Sequence, residues 1–172
     1  MFDQVIESII LLFVAVDPIA LIPIFASLTQ GLSKQDAKTV YIHATFVSFG
    51  ILSAFWLFGA SLLGVMGISM SSFKIIGGLF LIAIAFQMVF EQRQERRQNT
   101  ADTALDDQSL QSLAIFPLAT PLIAGPGAMT AVLLLAEERS NEPLGMLINF
   151  TPILAIVLMA AIAMWLSANL AN

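Results

Sequence analysis

The sequence contains no cysteine. That excludes disulfides, thiol nucleophiles and Cys-ligated metal. Charge is scarce as well: 11% of residues are Asp, Glu, Lys or Arg, where a soluble domain carries about 25%. No basic run is present, which excludes nucleic acid as a partner. There is one histidine, His43, and only one carboxylate, Asp17, lies well inside an apolar run. No Ser-His-Asp, His-x-x-His or paired-carboxylate arrangement can form in the apolar runs, so we expect no enzyme, no cofactor and no metal site. Hydrophobic residues fill the space instead, at 58% of the chain and a mean hydropathy of +0.89. The apolar runs are continuous and do not alternate with polar residues, which excludes a β-barrel. The fold class is therefore all-α, a polytopic helical membrane protein.

One run organises the rest. Leu113 to Ala136 is 24 residues long and uncharged, enough to cross a hydrocarbon core of about 30 Å. Yet it holds Pro117, Pro121, Gly125, Pro126 and Gly127. Each proline removes a backbone donor and clashes with the preceding turn. Irregular backbone survives at membrane depth only where protein or a watery cavity covers it. This stretch should face other helices or a cavity. A second run, near the N-terminus, is interrupted in the same way by Pro18 and Pro23. Such a pair, one in each half of a chain, points to a binding site where two transporter repeats meet.

In order, the spans are expected at about Val5 to Leu28, Val40 to Val65, Phe73 to Phe90, Leu113 to Ala136 and Met146 to Ser167. The first has no Lys or Arg before it and is interrupted by Asp17-Pro18, so it reads as a span and not as a signal peptide. Ser33, three residues before Asp36, is an expected helix N-cap. The segment 91–112, with EQRQERRQ, reads as a solvated linker at the membrane surface between a first repeat, 1–90, and a second, 113–172. Loops 1 and 3 hold Lys34, Lys38, Arg93, Arg96 and Arg97, while the other side holds only Lys74 and Arg139. The excess places loops 1 and 3 in the cytoplasm and the N-terminus outside. Three spans per repeat is an odd number, so a second copy would be inserted upside down, the inverted arrangement of many secondary transporters.

Three motifs carry a family resemblance: Asp17-Pro18 with Pro23 and Phe25; Gly77-Gly78 with Phe86-Gln87-Met88; and PLATPLIAGPG from Pro117 to Gly127. With these the sequence resembles the MarC family of bacterial inner-membrane proteins, related to the lysine-exporter superfamily. The resemblance covers the whole chain. It implies six spans, an N-terminus outside, residence in the bacterial inner (plasma) membrane and, for some members, transport of small neutral amino acids. It also implies a last span resembling span 3, which this sequence does not contain. The expectation is a fragment or a truncated member, its second repeat one span short.

The candidate substrate- or ion-binding residues are Asp17, Pro18, Pro23, Pro117, Thr120, Pro121, Gly125, Pro126, Gly127 and Thr130. An ionisable group inside a span is a functional hypothesis by default. Asp17 could bind a coupling proton, a cation or a substrate ammonium. It could equally cap a half-helix begun by Pro18. Gly125-Pro126-Gly127 could present backbone amides to a carboxylate or serve as a packing kink. Thr120 and Thr130 are hydroxyl donors that could instead bond their own helix. His43 reads as an interfacial residue, Gly77 and Gly78 as helix packing, Gln87 as an interhelical polar contact, and Glu137, Glu138 and Arg139 as a solvated loop. Two functions compete. One is a secondary transporter of a small solute, with lipid, substrate and a coupling proton or cation as partners. The other is a non-transporting membrane protein that binds a partner or a second copy of itself as a homo-oligomer.

Overall fold

Apolar side chains cover the outside of this molecule as well as its centre. The computed structural model describes residues 2–90, 110–137 and 142–170. They form α1 (Phe2–Val16), α2 (Pro18–Leu28), α3 (Lys34–Val65), α4 (Met70–Val89), α5 (Leu110–Leu113), an irregular coil Ala114–Ile123, α6 (Pro126–Glu137) and α7 (Pro143–Leu170). Among the described residues, four stretches are long and apolar enough to cross a membrane: Asp3–Leu28, Lys34–Val65, Met70–Val89 and Leu144–Leu170. The coil and α6 make a fifth, bent by 60° at its break.

Local chemistry sets the helix ends. The Ser33 hydroxyl accepts from Asp36 N at 3.1 Å and donates to the Asp36 carboxylate at 2.7 Å, so α3 starts at Lys34. It starts earlier than the apolar run because its 32 residues span about 48 Å at 1.5 Å per residue. Its first turns, with Lys34, Asp36 and Lys38, extend beyond the hydrocarbon. Ser69 caps α4 in the same way through Ser72 N. The C-terminal end of the expected linker is the short helix α5, while residues 91–109, including Arg93, Arg96 and Arg97, lie outside the described residues.

The core forms where the two broken spans meet α7. Leu12, Val16, Leu21, Phe25, Leu118 and Ile156 are all almost fully buried. α7 packs along α1, α2 and α3, and the Ser167 hydroxyl donates to the Ile22 carbonyl of α2 at 2.7 Å. Phe150 of α7 meets Trp56 of α3 edge-on at 5.0 Å. By contrast α4 buries only Gly77 and Ile84. Its Ile75, Ile76, Leu79 and Ile82 are exposed, a surface that water would not tolerate and lipid does.

α4 runs antiparallel to α6. A Cβ on Gly77 would lie 2.7 Å from Thr130 Cγ2, so Gly77 is a packing glycine here, whereas a Cβ on Gly78 would meet nothing within 4 Å. At the far end of that seam Lys74 forms an ion pair of 2.6 Å with Glu137. Glu137 thus ends α6 in a pairing and does not belong to a free loop, while Glu138 and Arg139 lie outside the described residues. The pair puts the start of α4 and the end of α6 on one face of the bundle, as alternating spans require.

Candidate functional site

The first break occupies a single residue. Asp17 N donates to Phe13 O at 2.8 Å, closing α1. Asp17 then turns left-handed, with φ 54° and ψ 70°. Its carboxylate Oδ1 accepts from Ala20 N at 3.3 Å, capping α2, and Pro18 takes the first helical position. Aspartate suits both tasks, because its short polar side chain bonds locally and tolerates this backbone region. Asp17 is half-buried and Pro18 buried. Pro23 does not break the helix. It lies within α2 and is exposed, about 9 Å further along the axis at 1.5 Å per residue.

The second break is spread over the residues from Phe116 to Gly125. Phe116 (φ −129°, ψ 123°) and Thr120 (φ −136°, ψ 122°) are extended. Each precedes a proline, whose ring pushes the residue before it out of the helical region. Both X-Pro bonds, Phe116–Pro117 and Thr120–Pro121, are cis. Pro117 is buried, Thr120 half-buried and Pro121 exposed. Ala124 N donates to Ala119 O at 2.8 Å, and Met129 N to Gly125 O at 2.9 Å, which starts α6. Gly125 is buried, and a Cβ there would overlap the Pro121 carbonyl. It has no side chain to cap α6, and Pro126, exposed at the first turn, has no N–H. The amides of Gly127 and Ala128 are therefore among the first-turn donors that no helix can satisfy internally.

The two breaks lie side by side. α1 packs along α6, and α2 lies against the coil Ala114–Ile123. A Cβ on Gly127 would sit 2.5 Å from Ile84 Cδ1 and 3.9 Å from Ala15 Cβ. Ala15 is two residues before one break and Gly127 two residues after the other. The structure thus gathers Asp17, Pro18, Gly125, Pro126 and Gly127 at one depth. Thr130 is a turn further along α6, half-buried, with its methyl toward Gly77 of α4. His43 is exposed on α3 and its Nδ1–H donates to Thr39 O at 2.9 Å. Gln87 is half-buried on α4. Local patterns could not have shown Ala15 or Ile84 beside the break, because both are ordinary apolar residues of ordinary spans.

The profile of the MarC family integral membrane proteins matches residues 2–172. A UPF0056 membrane protein of Methanocaldococcus jannaschii is 35% identical over 130 residues, 76% of this chain and 57% of its own length. One from Buchnera aphidicola subsp. Acyrthosiphon pisum is 36% identical over 126 residues, 73% of this chain and 58% of its own. The UPF0056 membrane protein YvbG of Bacillus subtilis is 29% identical over 141 residues, 82% of this chain and 67% of its own. The chain thus spans about three fifths of the first relatives it matches, between 57% and 62% of their length. No solved structure matches it. With up to five apolar spans among its described residues, the chain belongs to the MarC family of integral, multi-pass membrane proteins.

Proposed function

We propose that this chain forms part of a secondary transporter of a small zwitterionic solute, such as a neutral amino acid, working by alternating access. One observation carries the reading: two broken spans lie antiparallel with their breaks at the same depth, Ala15 beside Gly127. Paired breaks of this kind in the two halves of a chain are where transporters bind their cargo. The first-turn amides of α6 at Gly127 and Ala128 suit a carboxylate, favoured further by the helix dipole. Asp17 supplies the opposite charge, for an ammonium group or for a coupling proton or cation. The Lys and Arg excess of loops 1 and 3 supports an N-terminus outside, and membership of the family supports residence in the cell's inner (plasma) membrane.

The test is counterflow of radiolabelled alanine or serine in proteoliposomes. Flux is expected from the unaltered protein. Asp17→Asn should abolish it, or its dependence on a proton gradient, while still inserting and eluting as a folded species. Full proton-coupled flux in that variant would remove the carboxylate from the mechanism. No flux of any small zwitterion, together with a stable complex in mild detergent, would favour the membrane interaction protein.

A further inference from the structure

A cleft of about 140 Å³ opens between α1 and α6, on the face of the bundle where α1 begins. Glu7, Ser8 and Leu11 form one wall and Ala131, Leu134 and Leu135 the other. That volume has room for about four waters at ~30 Å³ each. Leu12 also lines it. Leu12 is one turn before Ala15, and Ala131 is one turn after Gly127. The cleft therefore follows the α1–α6 seam outward from the breaks and begins within about 5 Å of them at 1.5 Å per residue. Its inner lining is apolar and its mouth acidic. Glu7 and Asp3 are both exposed, and α1 carries no basic residue. Ser8 donates to the Gln4 carbonyl at 2.8 Å, so its hydroxyl bonds its own helix and leaves the cleft open.

We propose that this cleft is the aqueous approach to the paired breaks, and that Glu7 makes it favour solutes bearing an ammonium group. The inference rests on the transport reading, and names its access path and the charge it selects. A carboxylate at the mouth concentrates cations and repels anions at contact range. The two breaks then divide a zwitterion's charges at the inner end of the path.

The absence of cysteine makes the test direct, because each variant carries a single thiol. Ser8→Cys, Leu11→Cys and Leu134→Cys are reconstituted in liposomes and treated with two membrane-impermeant methanethiosulfonates, one trimethylammonium and one sulfonate. Both reagents are expected to label all three positions. After normalisation to a free thiol, the cationic reagent should be faster by about 25-fold, a factor of about five from attraction of the cation and another of about five from repulsion of the anion by one unit charge near 4 Å in water. Adding Glu7→Gln should bring that ratio close to one. Labelling of Leu11→Cys and Leu134→Cys only by a hydrophobic maleimide would mean a lipid-filled groove and overturn the proposal. Equal normalised rates in the Glu7 background would overturn the selectivity. Ser8→Cys is nearly isosteric at a half-buried position on the cleft wall, so the charge ratio can be read there even if a leucine variant fails to fold. Labelling needs no flux. A wet, cation-selective cleft in a protein that carries no solute would sink the transport reading and leave the access path standing.

Discussion

The two breaks do the same thing by opposite means. Span 1 stops and restarts at one residue, and that residue has a side chain in the backbone region that usually belongs to glycine: Asp17, φ 54°. Span 4 takes from Phe116 to Gly125 to do so, and its essential glycine is required by lack of space, since a Cβ on Gly125 would overlap the Pro121 carbonyl. After each break the chain reads Pro-x-Ala, in Pro18-Ile19-Ala20 and in Pro126-Gly127-Ala128. The first break brings its own cap in the Asp17 carboxylate, which Ala20 N meets at 3.3 Å. The second has a glycine where the cap would be. One helix start has a side-chain cap from its own break, and the other has none from Gly125.

Substitutions at Gly125, Asp17, Gly127 and Lys74 probe that contrast. Gly125→Ala should have the largest effect, about 3 kcal/mol or more of destabilisation, because backbone must move to admit a methyl group. Denaturant unfolding in detergent would measure it, and a near-neutral result would mean the coil has slack. Asp17→Ala should cost about 2 kcal/mol, roughly half from the lost cap and half from a left-handed alanine. Asp17→Asn keeps both features and should stay within about 0.5 kcal/mol of the parent. If Asp17→Ala unfolds as readily as Gly125→Ala, the two breaks are equally over-determined and the asymmetry fails. Gly127→Ala meets only the end of a flexible side chain, Ile84 Cδ1 at 2.5 Å. It should cost about 1 kcal/mol, and Ile84→Val, which deletes that methyl, should restore most of it. The smallest effect is expected for Lys74→Ala. Its pair with Glu137 is 52% and 32% exposed, so a double-mutant cycle should return about 0.5 kcal/mol, shrinking as salt is added.

Much of this was legible from local sequence. Four of the five apolar runs become long helices and the fifth a bent pair among the described residues, because a helix pairs its own backbone amides in lipid. Ser33 and Asp17 could be read as caps because capping is a contact between neighbours in sequence. Pro23 was harder. A proline inside a membrane helix removes one hydrogen bond and can leave the helix running, and here α2 continues through it with Pro23 facing outward. The pairings that build the site were not legible at all. Nothing local tells Gly127 that it will lie against Ala15 and Ile84, or Lys74 that its partner is Glu137. The cleft beside Glu7 was hidden for the same reason, since half its lining comes from α6.

The hydrogen bond from Ser167 to Ile22 joins residues 145 apart. It has a consequence for how the protein is made. α1, α2 and α3 enter the membrane long before α7 is synthesised, yet α7 is the helix against which all three pack. Until residue 167 has left the ribosome, the Ile22 carbonyl lacks its Ser167 donor, and the side of α2 that α7 covers meets only lipid, translocon or chaperone. Chains arrested before that point should be the ones a membrane protease removes first.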